Sequence, residues 1–207
     1  ILKPEIMKYY TNFEIFKNFK NNKKILLFLL EEKIFTFDKS ILYEMNKTSY
    51  KERRYIEYFS PEIKKFFENQ EKKENFIVDK DEKLHEIMKI INRELPNESE
   101  KKRIEGENDD IICEMIRNDS IEDFITYVNK ENYTLNCFVK SSIYETNIFL
   151  IKKHPTLIEY AAFHGSVQIF KYLYKNGVEL KDTLWNYAIH SNNPEMIHLL
   201  EENKVDI

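Results

Sequence analysis

The last quarter of the chain contains two copies of one segment. The first copy begins TLIEYAA at Thr156 and the second begins TLWNYAI at Thr183. Thr183 lies 27 positions after Thr156. The spacing is constant along both copies, because Leu200 of the second copy also lies 27 positions after the matching Leu173 of the first. A fixed period of this size is typical of proteins built from stacked repeats. The repeat therefore constrains the fold more than any other feature of the sequence.

Each copy predicts two short helices joined by a tight turn. In the first copy, the apolar residues at 157, 158, 161 and 162 share one side of a helix. Gly165 suits the left-handed residue that ends this helix, and Ser166 can begin a second helix over 167–175. Asn176-Gly177 ends that helix in the same way. Because one helix pair cannot bury its apolar side alone, neighbouring pairs must stack on it.

These residues resemble the ankyrin repeat, whose pattern is T-P-L-H-x-A-A-x-x-G-H-x-x-I-V-x-L-L-L-x-x-G-A-D-V. The first copy matches this pattern at Thr156, Ile158, Ala161, Ala162, Gly165, Ile169, Phe170, Leu173 and Gly177. The second copy matches it at Thr183, Ala188, Met196, Ile197, Leu199, Leu200 and Asp206. Asn192 and Lys204 replace the two glycines of the second copy, and neither copy has the family's proline or histidine. Such degenerate units are similar to those of the large ankyrin families of unicellular parasitic eukaryotes.

The resemblance implies an all-α solenoid of stacked helix-turn-helix repeats, degenerate toward the N-terminus. The clearest units are 156–180 and 183–207, within an ankyrin-like region over 101–207. The period is shorter than the roughly 33 residues of the family, so we expect no projecting hairpin finger between Leu180 and Thr183. Because residue 207 lies within a repeat, we also expect the natural array to continue.

Upstream of the clear copies, the sequence predicts more helices. We expect a helical region over 1–100, in which 23–47 has the order of a drifted repeat, and LLEEKIFTF there is similar to LLEENKVDI at 199–207. We expect one helix over 4–20, two helices meeting at a capping Ser60, and another helix over 81–95. The charged run 96–110 is either an exposed helix or a linker, and it is the predicted boundary between the two regions.

Residues 110–129 have the pattern of a repeat without its alanines, with Asn118-Asp119-Ser120 at the turn. Between this unit and the clear copies lies an insertion, 131–154, that contains Tyr133, Phe138, Tyr144 and Phe149. Two interpretations are open. The insertion is either a binding loop, as long loops often are, or a spacer made of a drifted finger and an extra helical turn.

Composition and motifs argue against several functional classes. The net charge of −4 opposes nucleic acid as the main ligand, because phosphate binding needs a basic surface. Apolar runs are too short to span a membrane. Cys113 and Cys137 fit neither a zinc motif nor a disulfide framework, which indicates a reducing, cytoplasmic location. We find no motif for catalysis, a metal, a cofactor or a small-molecule substrate, and expect none of them.

We therefore expect a non-enzymatic protein-interaction module with an unknown protein partner. The resemblance places the first helix of each repeat on the concave side, and the outward positions there are Tyr160, Phe163, His164, Tyr187 and His190. Tyrosine and histidine combine an apolar body with a polar tip, which suits interface hot spots. On this view, replacing both tyrosines by alanine weakens partner binding without unfolding the protein.

Other interpretations stay open. The two tyrosines could instead pack along the stack, in which case they belong to the core, as we expect for Trp185. The chain could be a purely structural segment of a longer array, or an enzyme with an unrecognised site that uses Cys137 or the histidines.

Overall fold

Short helices form the regular secondary structure of the part of the chain that the computed structural model describes, which is residues 2–46, 50–71, 81–93 and 99–206. Only 3 glycines and 5 prolines interrupt the sequence, and short loops join most of the helices. Within the described ranges, the β pairing consists of one isolated antiparallel bridge between Phe138 and Thr156. The prediction of an all-α fold is confirmed.

The chain divides into two compact units. Unit 1 contains Ile1–Glu107 and Thr146–Ile148, and unit 2 contains Asn108–Glu145 and Phe149–Ile207. The division therefore lies between Glu107 and Asn108, within the charged run that was predicted as a boundary. The division lies seven residues after position 100, the predicted end of the first region, because the helix Ser99–Glu105 belongs to unit 1.

The helices of unit 1 are α1 (Leu2–Tyr9), α2 (Asn12–Phe19), α3 (Lys23–Glu31), α4 (Lys39–Met45), α5 (Tyr50–Tyr58), α6 (Ser60–Glu71), α7 (Glu82–Ile91) and α8 (Ser99–Glu105). Their apolar sides meet in one core, in which Leu26, Ile41, Ile63 and Ile87 are fully buried. Helix α4 contacts α2, α5 and α7, and so lies near the middle of this unit.

The prediction of one helix over 4–20 is wrong, because two helices, α1 and α2, occupy that segment. The chain breaks at Thr11, which is extended at φ −77° and ψ 159° and caps α2. The N–H of Glu14 donates to the Thr11 hydroxyl at 3.2 Å, and the Glu14 carboxylate accepts from the Thr11 N–H at 2.8 Å. This reciprocal capping box satisfies two backbone N–H groups at Thr11 and Glu14, which favours the start of a new helix there.

Helices α5 and α6 meet at Ser60 as predicted, but the predicted cap is wrong. Ser60 is the first residue of α6, and its buried hydroxyl has no hydrogen-bond partner in the part of the chain that the structure describes. Helix α7 begins after Asp81, whose side chain accepts from the N–H of Leu84 at 3.4 Å, and ends at Ile91. The predicted continuation of α7 toward Leu95 is wrong at Asn92 and Arg93, which follow the end of the helix, and residues 94 and 95 lie outside the described residues.

The loop after α3 has the geometry of the loop after the last repeat helix. Lys33 adopts φ 56°, and the N–H of Ile34 donates to the Leu29 carbonyl at 2.9 Å. At the end of the chain, Lys204 adopts φ 51° and Val205 donates to Leu200 at 3.1 Å. Lys33 and Lys204 therefore occupy equivalent positions in the two loops. The alignment of the two LLEE segments instead pairs Lys33 with Asn203, one residue earlier. A drifted repeat over 23–47 stays a hypothesis.

The helices of unit 2 are α9 (Ile111–Arg117), α10 (Ile121–Lys130), α11 (Ile148–Lys153, all but its first residue), α12 (Leu157–His164), α13 (Val167–Lys175), α14 (Leu184–Ser191) and α15 (Pro194–Glu202). Three pairs follow in sequence, α9 with α10, α12 with α13, and α14 with α15, and the members of each pair are in contact. Helix α12 also contacts α9 and α14. The first helices of the three pairs are thus neighbours in a row.

The repeat period appears directly in the helix bounds. Helices α12 and α14 begin at 157 and 184 and end at 164 and 191, so each end is displaced by the same 27 residues. Helices α13 and α15 begin at 167 and 194 and end at 175 and 202, with the same displacement. A left-handed residue follows the first helix of each pair: Asp119 (φ 49°), Gly165 (φ 71°) and Asn192 (φ 49°).

Most of the insertion 131–154 belongs to unit 2, and the insertion ends in α11. Val139 donates to the Pro155 carbonyl at 2.8 Å, and the N–H of Leu157 donates to the Cys137 carbonyl at 3.1 Å. The Asn108 amide donates to the carbonyl of Lys140 at 2.7 Å. These bonds fasten the insertion beside the starts of α9 and α12.

Among the described residues, we find no helix with both the length and the apolar character needed to cross a lipid bilayer.

Candidate functional site

Six aromatic and histidine side chains of unit 2 touch one another at the first helices of the last two pairs. This aromatic–histidine cluster consists of Phe149, Tyr160, Phe163, His164, Tyr187 and His190. It includes all five residues predicted from the sequence. Residues 160, 163 and 164 share one side of α12, and residues 187 and 190 share one side of α14, because positions three and four apart in a helix are neighbours.

The rings form a continuous chain of contacts. The ring centroid of His190 lies 4.5 Å from that of Phe149 and 5.2 Å from that of Phe163. Phe163 in turn lies 5.0 Å from His164. These separations lie in the range of favourable aromatic pairs. The cluster is therefore a packed unit whose side chains fix one another's positions.

The structure contradicts the outward orientation predicted for the two tyrosines. Tyr160 is 1% exposed and Tyr187 is 4% exposed, and both belong to the core of unit 2. Arg117 donates a hydrogen bond to the Tyr160 hydroxyl at 3.0 Å, while the ring of Tyr187 packs edge-on against Phe149 at 5.1 Å. Replacing both tyrosines by alanine would thus remove core side chains, and the predicted selective loss of binding is withdrawn.

Burial also governs the ionisation of the tyrosines. It raises the pKa of Tyr160, and the nearby thiol of Cys113 adds to this effect. It raises the pKa of Tyr187 to about 12, with a further contribution from the Glu159 carboxylate. Both phenols stay protonated at neutral pH, as expected for core tyrosines.

The remaining members of the cluster reach the surface. His190 is exposed, and Phe149, Phe163 and His164 are each partly exposed. Their rings are supported from below by the two buried tyrosines. The surface that a partner could contact is therefore formed by Phe149, Phe163, His164 and His190.

His164 has an unusual environment for a histidine. Its Nε2 atom is buried and has no hydrogen-bond partner among the described residues, and its ring lies 4.4 Å from that of Tyr160. Burial lowers the pKa of His164 to about 4, and the Arg117 guanidinium lowers it further in the same direction. The imidazole is consequently neutral at pH 7, which keeps this part of the cluster apolar.

Phe149 is the cluster member that the repeat pattern does not predict, although it is one of the aromatic residues of the insertion. It comes from α11 in the insertion, outside the repeat pattern, so the 27-residue period gave no indication of it. Its stacked contact with Phe163, with centroids 6.0 Å apart, brings the insertion into the site. The insertion therefore contributes one ring to the cluster, and its role as a binding loop or as a spacer stays a prediction.

Trp185 packs against the core, as predicted, but keeps part of its ring exposed. Its indole N–H donates to the Val205 carbonyl at 3.2 Å. This bond links α14 to the loop that follows α15.

Burial raises the pKa of both cysteine thiols, Cys113 and Cys137, so that they are protonated at neutral pH. Within the described ranges, histidine, cysteine and carboxylate side chains form no group of three or more that could bind a metal ion.

Comparison of the chain with known protein families, with curated proteins and with solved structures found no match.

Proposed function

We propose that this chain is a non-enzymatic protein-interaction module built as a solenoid of degenerate ankyrin-type repeats. Support comes from the three successive helix pairs of unit 2, with α9, α12 and α14 side by side. The 27-residue displacement of the helix bounds adds to this support. Stacked helix pairs of this kind offer an extended rigid surface to a partner.

The observation on which the proposed binding role depends is the exposed side of the aromatic–histidine cluster. Phe149, Phe163 and His190 are packed ring against ring, so a partner can bury them with little loss of side-chain freedom. Large rings with fixed positions are typical of interface hot spots. We infer that the partner is a protein that covers these rings with apolar side chains.

The non-enzymatic assignment is supported by the cysteine chemistry. A nucleophilic cysteine needs a lowered pKa, usually from a nearby cation or helix start. The pKa of both thiols is raised instead.

The binding surface can be tested with the double variant Phe163→Ala/His190→Ala in a quantitative affinity pull-down followed by mass spectrometry. A matched control is Tyr174→Ala, which removes another exposed aromatic side chain, from α13 of the same unit. We expect a loss of about tenfold or more in recovery of the partner for the double variant, equivalent to at least about 1.4 kcal/mol. The control should recover the partner as the parent does.

Circular dichroism and thermal melting establish that each variant is folded. Because Phe163 is partly buried, His190→Glu provides a second test at an exposed position. Equal recovery of every bound protein by the parent, the folded double variant and His190→Glu would refute this surface as the binding site.

A further inference from the structure

The helices that carry the aromatic–histidine cluster are poor in carboxylates. Helices α11 and α14 contain none, and α12 contains only Glu159. The segment 149–191, from the first cluster residue to the end of α14, has five lysines and three carboxylates, although the whole chain has a net charge of −4. The part of the sequence that forms the cluster is therefore basic within an acidic chain.

The single carboxylate of α12 is already engaged in hydrogen bonds. One oxygen of Glu159 accepts the N–H and the hydroxyl of Thr156, at 2.8 and 2.9 Å, and the other accepts the hydroxyl of Thr183 at 2.9 Å. The negative charge also lies at the start of α12, where the backbone N–H groups of the helix partly balance it. Glu159 therefore caps α12 and does not neutralise a lysine beside the cluster.

Two lysines follow Phe149 on α11. Lys152 and Lys153 lie three and four positions after it, so they are its neighbours one helical turn along the same side. Both are exposed, and neither makes an ion pair with any residue that the structure describes. Lys171 of α13, in contrast, pairs with Glu195 at 2.9 Å. The side of α11 that carries Phe149 thus has two positive charges without a carboxylate partner among the described residues.

These lysines lie at the edge of the exposed rings. The ring of Phe149 packs against those of Phe163 and His190, with centroids 6.0 and 4.5 Å apart, so the side of α11 that carries both lysines adjoins the cluster. Protein interfaces commonly have an apolar centre and a charged or polar rim. The rings and Lys152 and Lys153 have this arrangement, with a rim of positive charge.

We propose that the protein partner of the aromatic–histidine cluster presents an acidic segment, in which apolar side chains cover the rings and neighbouring aspartate or glutamate side chains pair with Lys152 and Lys153. This inference rests on the proposed function and names the chemistry of its partner. Opposite charges at the rim of an interface speed association and exclude partners of the wrong charge. The two lysines therefore select acidic segments from among the many that could cover apolar rings.

The probe is a library of synthetic peptides about ten residues long, presented to the full chain. Each peptide has leucine or phenylalanine in its middle and aspartate, lysine or serine at the flanking positions. We expect the bound peptides to contain aspartate more often than lysine by about tenfold. Raising the salt concentration from about 0.1 M to about 1 M should reduce this preference at least about threefold, because it shortens the range of exposed charges.

The variant Lys152→Glu/Lys153→Glu should reverse the preference, so that lysine peptides are bound instead. Lys152→Gln/Lys153→Gln should abolish the preference while peptides still bind through their apolar residues. The matched control is Lys175→Glu/Lys181→Glu, which changes the net charge as much as the first variant does, at two other exposed positions of unit 2. The control should keep the preference for aspartate.

Lys152 and Lys153 also lie in the last turn of α11, where positive charge stabilises a helix end. Thermal melting of each variant measures this structural contribution. A purely structural role would not reverse the charge of the peptides that a folded variant selects, so the reversal distinguishes recognition from stability.

Several results would overturn the inference. The parent could bind no peptide of the library, or could bind aspartate and lysine peptides equally. The preference for aspartate could persist in Lys152→Glu/Lys153→Glu, or be lost to the same extent in the control. Stronger binding of a single-stranded oligonucleotide than of any acidic peptide would instead assign the lysines to phosphate groups.

This inference and the proposed function can fail separately. Peptide binding without a charge preference, lost in Phe163→Ala/His190→Ala, would keep the cluster as the binding surface and refute the acidic partner. Binding of acidic peptides that depends on Lys152 and Lys153 but is unchanged in Phe163→Ala/His190→Ala would refute the cluster as the binding surface.

Discussion

At the scale of single residues, equivalent positions in the two clear copies have different neighbours. Tyr160 and Tyr187 are both buried, but one hydroxyl accepts a hydrogen bond from Arg117 while the other ring packs on Phe149. Both neighbours lie outside the repeated segments. The sequence period predicts that two positions are alike in the helix pair, and it does not predict what the rest of the chain places against them.

His164 should make the stability of the protein depend on pH. The unfolded chain takes up a proton at this site near its ordinary pKa of 6.5, and the folded chain only near 4. Between these values the unfolded state binds more protons, so this contribution is complete above pH 6.5 and is lost as the pH falls toward 4. We expect it to reach up to about 3 kcal/mol. Urea unfolding at pH 7, 5.5 and 4.5 measures it.

The matched variant for this prediction is His164→Gln, which removes the titrating group. The parent should lose more stability than the variant between pH 6.5 and 4, because carboxylates elsewhere affect both proteins equally. Parallel curves for the two proteins would contradict the assignment of the pH dependence to His164.

At the scale of the helices, the turns are more regular than the residues that form them. A left-handed backbone follows α9, α12 and α14, yet only the turn at Gly165 uses glycine. Asparagine and aspartate tolerate this conformation better than other residues with a side chain, which is why Asn192 and Asp119 can replace glycine. Lys204 has no such advantage, and nothing in the structure explains its selection.

The glycines at the two turns of the first copy should respond differently to alanine. Both have positive φ, 71° at Gly165 and 86° at Gly177, so either substitution costs about 1 kcal/mol of backbone strain. A Cβ at Gly165 would also lie 3.1 Å from two atoms of Asn193, whereas a Cβ at Gly177 has no atom within 4 Å. We expect Gly165→Ala to cost about 2 kcal/mol and Gly177→Ala about 1 kcal/mol in urea unfolding. Equal losses would show that Asn193 moves away without cost.

The helices predicted best from the sequence were those with both apolar spacing and a clear turn. Helices α12 and α13 satisfy both criteria at Gly165 and Gly177. The prediction of one helix over 4–20 is wrong because apolar residues continue on both sides of Thr11, so their spacing does not indicate a break. The break depends on the capping box between Thr11 and Glu14. The same Thr-x-x-Glu arrangement at Thr156 and Glu159 starts α12, so the pattern was available in the sequence.

At the scale of the whole molecule, α8 belongs to unit 1 although its sequence is mostly charged. Arg103 is the reason, because it is 6% exposed and pairs with Glu62 at 2.7 Å. Its guanidinium also lies 5.2 Å from the ring centroid of Tyr58, whose hydroxyl donates to the Arg103 carbonyl. A charge pattern alone suggests a solvated linker, and only the three-dimensional structure reveals the buried ion pair.

Arg103→Met should therefore destabilise unit 1. The substitution leaves the partly buried carboxylate of Glu62 without its partner, and breaking such a pair typically costs about 3 kcal/mol. Lys101→Met is the matched control, because the Lys101–Glu105 pair is exposed and should contribute close to nothing. Hydrogen exchange of the amides of α6 measures the difference. Equal protection in both variants would mean that α8 does not stabilise unit 1.

The aromatic–histidine cluster could be predicted only in part, because helical spacing shows which side chains share a side of a helix and not what covers that side. Helical spacing placed Phe163 and His190 on one side of their helices, and both contribute to the surface. Spacing does not distinguish the solvent from a neighbouring helix, so it assigned Tyr160 and Tyr187 to the same surface. Phe149 required knowledge of the path of the insertion, which depends on backbone bonds such as Val139 to Pro155.

The three residues Thr146–Ile148 give the chain a discontinuous organisation. Thr146 donates two hydrogen bonds to the Gly106 carbonyl, from its N–H at 3.1 Å and from its hydroxyl at 2.7 Å, and so belongs with the residues of unit 1. The polypeptide consequently passes from one unit to the other three times. A protease that cuts only once, between Glu107 and Asn108, would leave part of unit 1 on the C-terminal fragment. The two halves of this protein are thus interleaved in sequence, and genetic exchange of either half by a single crossover would divide a folded unit.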